Sequence, residues 1–280
     1  MAYLLYLQND NGSFKNYLSY WRNTVEEQGS DDAFGRAIWA LGMLIRLAPC
    51  DSMFHVALEM FIKSSSQFKK LRYARGYANC IFGLYHYVRR FPDQEKYIQL
   101  ISEMANRLVE LVQVNATDDW YWFEPSITYD NGLLPASLFT AYSFTENQKY
   151  LEVAEKSMHF LENKCLHNGQ LTLVGNKNWW LSNHPTSEFA QQPIDAMAMI
   201  VMYDCAYRAT RSEKLIQKMK TCFYWYFGLN DLNLPLYDPQ THGCNDGLEN
   251  LDVNRNQGAE STIAYLLSWL VAKPYLEGKK

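Results

Sequence analysis

Apolar residues recur along this chain in two rhythms, and both are helical. In the first they fall three or four apart with polar residues between them. Phe54-Leu58-Phe61-Phe68, Tyr97-Ile101-Met104-Leu108-Leu111, Leu151-Ala154-Met158-Leu161-Cys165 and Leu215-Met219-Cys222-Tyr226 follow this rule. A helix of this kind buries one stripe and wets the other. In the second rhythm the run is apolar nearly all round, over 37–47, 77–88, 133–142, 194–207 and 263–271. Such a helix has to be buried on every side. One-sided and all-round helices alternating along the chain predict an all-α fold, an inner ring of helices wrapped by an outer ring: an α/α toroid.

Each inner run is approached through a polar segment bearing Gly or Asn: GSDDAFGRA (29–37), LRYARGYAN (71–79), EPSITYDNG (124–132), SEFAQQPIDA (187–196) and NRNQGAEST (254–262). With Asp32, Ala74, Asn131, Gln192 and Gly258 as markers, the spacings are 42, 57, 61 and 66 residues, the period of a helical repeat array. If all inner helices start on one face, their first turns meet at one mouth, where free N–H groups favour hydroxyl-rich or anionic ligands. Tyr3–Gln8 followed by Asn11-Gly12-Ser13-Phe14 resembles the later Met158–Glu162 followed by Asn168-Gly169-Gln170-Leu171. Residues 1–8 then read as the tail of an outer helix. Residues 14–28 read as mouth loop, although Phe14, Leu18, Trp21 and Val25 also suit a helix. The expectation is a single domain over 1–280, N-terminally short, with an incomplete first hairpin.

Composition narrows the function. The net charge of −4 without a basic run argues against nucleic acid. The first twelve residues have neither a basic leader nor an apolar stretch long enough for a membrane span. Six dispersed cysteines without CxxC spacing read as thiols in a reducing, cytoplasmic setting. His242, Cys244 and Asp246 share one Gly-rich loop, which is weak support for a metal, and none is expected; no cofactor is expected either. GxSxG, GxGxxG, Walker and HExxH motifs are missing. Carboxylates, amides, arginines and rings remain.

Those groups are densest in DDWYWFEPSITYDNGLLPASL (118–138). Trp120, Trp122 and Tyr129 offer faces for the C–H side of a sugar, unless such dense aromatics only plug the core beneath the loop. Glu124 precedes Pro125, lies outside a helix, and is the favoured general acid, with Asp130 the favoured base. Asp130-Asn131-Gly132 also suits a turn and cap. Asp32 and Glu260 are substitutes for the acid pair, although Asp31 or Asp32 is a good N-cap that Arg36 would pair, and Glu260 suits a helix dipole. Arg36, Arg75, Gln191, Gln192, Asp195, Asp246 and Asn256 complete the hydroxyl-binding candidates. From Trp179-Trp180, Trp180 joins the stacking set.

The blocks GSDDAFGRAIWALG (29–42), WYWFEPSITYDNGLLP (120–135), QQPIDA (191–196) and NRNQGAES (254–261) resemble the six-hairpin glycosidase-like proteins. They look most like the all-helical domain that follows a glycosyltransferase domain in some bacterial proteins. The resemblance implies a carbohydrate ligand, with Glu124, Asp130, Gln192 and Glu260 at the mouth, and a glycosyltransferase or a second copy of the chain as partner. Hydrolases, lyases, phosphorylases and epimerases share such folds. Two carboxylates flanking a sugar bond fit a glycoside hydrolase-like enzyme acting on an oligosaccharide. The alternative is a non-catalytic glycan-binding or accessory domain of a glycosyltransferase system. An epimerase would call for a histidine such as His86.

Overall fold

The structure, a computed structural model, describes residues 1–182 and 184–277. Both rhythms of the sequence become helices. The one-sided runs form α3 (Asp51–Lys63), α5 (Glu95–Asn115), α7 (Gln148–Cys165) and α9 (Lys214–Tyr224). The all-round runs form α2 (Asp31–Leu47), α4 (Ala74–Arg90), α6 (Leu133–Thr145), α8 (Pro193–Thr210) and α10 (Ala259–Leu276), preceded at the N-terminus by α1 (Ala2–Leu7). Three two-residue ribbons lie in the connections: β1 (Ser126–Ile127) with β4 (Trp180–Leu181), β2 (Leu166–His167) with β3 (Gln170–Leu171), and β5 (Gly247–Leu248) with β6 (Val253–Asn254), all antiparallel. No helix among the described residues is long and apolar enough to cross a membrane.

The chain divides into two compact units, Met1–Leu111 with Thr140–Tyr150, and Val112–Phe139 with Leu151–Lys280. In the first unit α2 and α4 lie against each other through glycines seven apart on each helix, Gly35 and Gly42 facing Gly76 and Gly83. A Cβ on Gly83 would sit 2.5 Å from the Ile38 carbonyl oxygen, and one on Gly42 would collide with the Gly83 carbonyl. The missing side chains let the backbones approach, and Ile38, Leu41 and Ile45 fill the space beside them, fully buried. Each contributes about 1.5–3 kcal/mol by leaving water. Asp31 ties the two helices at their N-terminal ends: its Oδ2 accepts the N–H groups of Arg72 (2.6 Å) and Tyr73 (3.1 Å), just ahead of α4. Ser30 caps α2 itself, its Oγ accepting the Ala33 N–H at 3.1 Å.

The two Asn-Gly segments both turn the chain, but by turns of different size. After α7, Asn168 and Gly169 take left-handed angles (φ 53° and 76°) between β2 and β3. After α1, Gln8 bridges Phe14 around Gly12, at φ 85°. Residues 14–28 form no helix despite their spacing; Leu18 bridges Thr24 instead.

In the second unit α8 is closed in on nearly every side, as its composition predicts. Helix α10 departs from that expectation. It packs on α8 and α9 but leaves Ile263, Leu266 and Leu270 between 48% and 62% exposed, a stripe at helical spacing. Its other face supplies Ala264, Tyr265 and Ser268 to the core. There Tyr265 stacks on Tyr237 at 4.5 Å, and Ser268 meets the Tyr226 hydroxyl at 3.1 Å.

Candidate active site

The segment 118–138 folds as a loop, then β1, then a turn into α6. Its two tryptophan candidates, with Trp180 from β4, separate from Tyr129. Trp122 is fully buried; Trp120 and Trp180 are nearly so and meet edge to face at 5.4 Å. The indole N–H of Trp120 donates to the Glu124 carbonyl (2.9 Å), and that of Trp180 to the His184 carbonyl (2.9 Å). These rings plug the core beneath the loop, and none presents a face to a ligand. Tyr129 is half-buried, and its ring lies 6.0 Å from that of Trp179, also half-buried. The register of the ribbon, Ile127 against Trp180, brings the two together. The sequence placed Trp180 in the stacking set; the structure buries Trp180 and leaves Trp179 as the open member of the pair. Trp180 lies in the ribbon and turns inward, whereas Trp179 precedes the strand in left-handed backbone (φ 53°) and stays open.

Two residues here hold backbone angles that side chains avoid. Trp179 sits at φ 53° and Asp130 at φ 55°. A bulky residue in the left-handed region is an outlier, and such positions concentrate at functional sites. Asp130 is closed from solvent. Beside it, Asn131 makes a tight local ring: its Oδ1 accepts the Thr128 N–H (3.1 Å) and its Nδ2 donates to the Thr128 carbonyl (3.1 Å). The same Nδ2 reaches the buried Asp195 carboxylate at 3.2 Å. Gly132, where a Cβ would collide with the Ala198 carbonyl of α8, lets this turn settle onto that helix. Asn131, Gly132, Asp195, Cys165 and Met199 line a cavity of about 10 Å³, room for a single water-sized sphere. Burial pushes the Cys165 thiol up to about 12, so it is no nucleophile.

The remaining candidates sort by environment. Glu124 is half-exposed, ahead of Pro125. Gln191 is fully buried and saturated: its Nε2 donates to the Glu188 carbonyl (2.9 Å) and to Asp231 (2.5 Å), while its Oε1 accepts from the Leu173 N–H (3.2 Å) and the Trp225 indole (3.3 Å). It pins four segments and has no bond to spare for a sugar. Gln192, half-buried at the N-cap of α8, makes no side-chain cap bond. Asp246 serves the start of α10: its Oδ1 accepts the Gly258 N–H at 2.7 Å, and Asn256 donates to its Oδ2. Burial alone would raise the Asp246 pKa. Hydrogen bonds from Asn256, Ser261 and Gly258 outweigh that and hold it below the usual carboxylate range. Glu260 is exposed in the first turn of α10, where the dipole favours an acid.

Within the first unit, Asp32 pairs with Arg36 at 3.1 Å and accepts from Asn79 Nδ2 at 3.0 Å, while Arg75 is buried in the first turn of α4. Asn79 is a polar partner that sequence reasoning did not select; its place in the second turn of an apolar helix hid it. In the loop of the second unit, His242 takes the Tyr237 hydroxyl at 3.1 Å, Cys244 is buried and Asp246 faces α10. No group of three or more metal-ligating side chains gathers among the described residues.

The chain has the six-hairpin α/α-toroid fold shared by sugar hydrolases, epimerases and isomerases. Cellobiose 2-epimerase from Bacillus thermoamylovorans B4167 is similar with a TM-score of 0.67 at 12% identity, over 99% of this chain and 81% of that one. D-mannose isomerase is similar with a TM-score of 0.66 at 14% identity, over 97% and 78%. An unsaturated glucuronyl hydrolase specific for heparin gives 0.63 at 12% identity, over 86% and 67%. Residues 126–191 match the family of the D-glucuronyl C5-epimerase C-terminus. That stretch runs from β1 through Tyr129, Asp130, Asn131 and Trp179 to Gln191. No curated protein sequence matches the chain.

Proposed function

We propose that this is a carbohydrate-active protein that binds a sugar at the Tyr129–Trp179 pair and works on it by carboxylate acid/base chemistry. The observation that carries the reading is the half-open aromatic pair 6.0 Å apart, with strained backbone at both Trp179 and Asp130. Rings of this kind cover the C–H face of a pyranose, and a carboxylate nearby binds hydroxyls or moves a proton. Glu124, half-exposed, is the acid that meets the sugar; Asp130, closed from solvent beside the Asn131 turn, is the second carboxylate and acts once that turn opens to the ligand. In a glycoside hydrolase Glu124 protonates the leaving oxygen and the second acid activates water or attacks the sugar.

A second reading, sugar epimerisation, is favoured by the match of residues 126–191 to the C5-epimerase family. It would use the same aromatic pair but move a proton at carbon. A third, a glycan-binding domain that works beside a glycosyltransferase, keeps the rings and needs no turnover.

The aromatic pair is tested by titrating cello-, manno- and galacto-oligosaccharides into the protein and following ligand line widths by NMR. Trp179→Ala should weaken binding about tenfold, the loss of one good ring contact. Trp179→Ala with unchanged affinity for a sugar that the wild type binds would overturn the placement.

A further inference from the structure

The turn at Ser19–Asn23 carries large rings where the fold has no use for them. The Arg22 N–H donates to the Ser19 carbonyl (2.9 Å), the Ser19 N–H to the Asn23 carbonyl (2.9 Å), and the Asn23 N–H to Ser19 Oγ (3.0 Å). Arg22 closes the turn at φ 60°. This is the three-residue hairpin geometry, with Tyr20 and Trp21 at its centre. Turn centres favour Pro, Asp, Asn, Ser and Gly, so the two rings do nothing for the turn. They do nothing for the core either: Tyr20 is 90% exposed and Trp21 79%, edge to face at 5.2 Å.

The base beneath them is firmly tied. Leu18 bridges Thr24, Lys15 reaches Thr24 Oγ1 at 3.2 Å, the Glu26 carboxylate accepts the Tyr17 N–H at 2.8 Å, and the Tyr6 hydroxyl donates to the Arg22 carbonyl at 3.2 Å. Rings held out on a fixed support are preorganised for something outside the chain.

The chemistry of the patch says what that is. Its rings are Tyr17, Tyr20 and Trp21, all carrying a polar edge, and Phe14, the one plain ring of the segment, is buried. A partner with apolar faces and polar rims fits such rings, and a pyranose has both. The cations Lys15 and Arg22 are balanced by Glu26 and Glu27, so the patch has no basic surplus to draw it to phosphate-bearing surfaces. We infer that the Ser19–Asn23 turn is a second glycan-contact point, where Tyr20 and Trp21 hold the C–H face of one residue of an oligosaccharide chain. This rests on the carbohydrate reading above and adds a contact in the other unit of the chain.

The test compares the full-length wild type with the Tyr20→Ala/Trp21→Ala double variant. Affinities for cello-, manno- and galacto-oligosaccharides of increasing length are read by calorimetry, with thermal melts as the folding control. Because both rings stand in solvent, the melting temperature should not move. For a sugar that the wild type binds at this turn, the double variant should lose about tenfold in affinity, a loss independent of Trp179. Equal affinities at every length would overturn the turn's role while leaving the Tyr129–Trp179 site intact. Unchanged sugar affinity, with a ring-dependent loss of binding to phosphatidylserine vesicles or of self-association in sedimentation, would assign the rings to a membrane or a second copy and overturn it too. A wild type that binds none of these sugars overturns both readings together.

Discussion

Two segments leading into helices carry the same signal, an aspartate just before an apolar run, and the fold uses them differently. At α2, Asp31 and Asp32 are partly exposed and satisfied in ordinary ways: one receives the N–H groups ahead of α4, the other pairs with Arg36. At α6, Asp130 is closed from solvent, left-handed, and set beside the Asn131–Asp195 bond. A capping aspartate has no need of burial or strain. The difference teaches that an acid at a helix start becomes a site candidate through what the backbone pays to hold it there.

The sharpest way to break this comparison is to remove each carboxylate in turn. Asp130→Asn should cut turnover at least about a hundredfold, the scale of a lost acid or base, while Asp31→Ala leaves the turnover of the folded protein in place. Equal losses in both, measured on the same oligosaccharide, would erase the distinction. Next in size is Gly76→Ala. The new methyl would meet the Asp31 Cβ at 2.7 Å, so chemical denaturation should show a loss of about 1–3 kcal/mol. Asp31→Ala alone should cost about 1–2 kcal/mol, the range of a lost cap. Smallest is a pH effect at the start of α10. The folded Asp246 pKa lies below its unfolded value, so its stabilisation is complete above the unfolded carboxylate pKa and is lost as pH falls through the folded one. Melting curves in acid should show Asp246→Asn flattening that fall; an unchanged slope would remove Asp246 from the account.

Much of the helical plan was legible in the sequence because burial leaves a periodic trace. The start of α8 at Pro193 follows its marker Gln192 directly, and that of α4 at Ala74 coincides with its marker. Helix α10 was misjudged because composition reports how apolar a helix is, not how many neighbours cover it. The turn at 19–23 was hidden for a similar reason, since Leu18, Trp21 and Val25 keep helical spacing while hydrogen bonds through Ser19 and Asn23 select the hairpin. At the site, the segment was found from its aromatics and acids, but which rings are open was not. Trp120, Trp122 and Trp180 look as suitable as Trp179 until folding buries all three, Trp180 within the β1–β4 ribbon. Gln191 posed the same problem: an amide beside a helix start reads as a ligand contact until its four hydrogen bonds are counted inside the protein.

The most direct measurement is an NMR time course of the wild type and Glu124→Gln with cello-, manno- and galacto-oligosaccharides in deuterated buffer. New anomeric signals, or deuterium entering a ring carbon if the chemistry is epimerisation, are expected in the wild type and not in Glu124→Gln. Spectra that stay unchanged and sharp for every sugar, or turnover that survives Glu124→Gln at full rate, would contradict carbohydrate chemistry at Glu124.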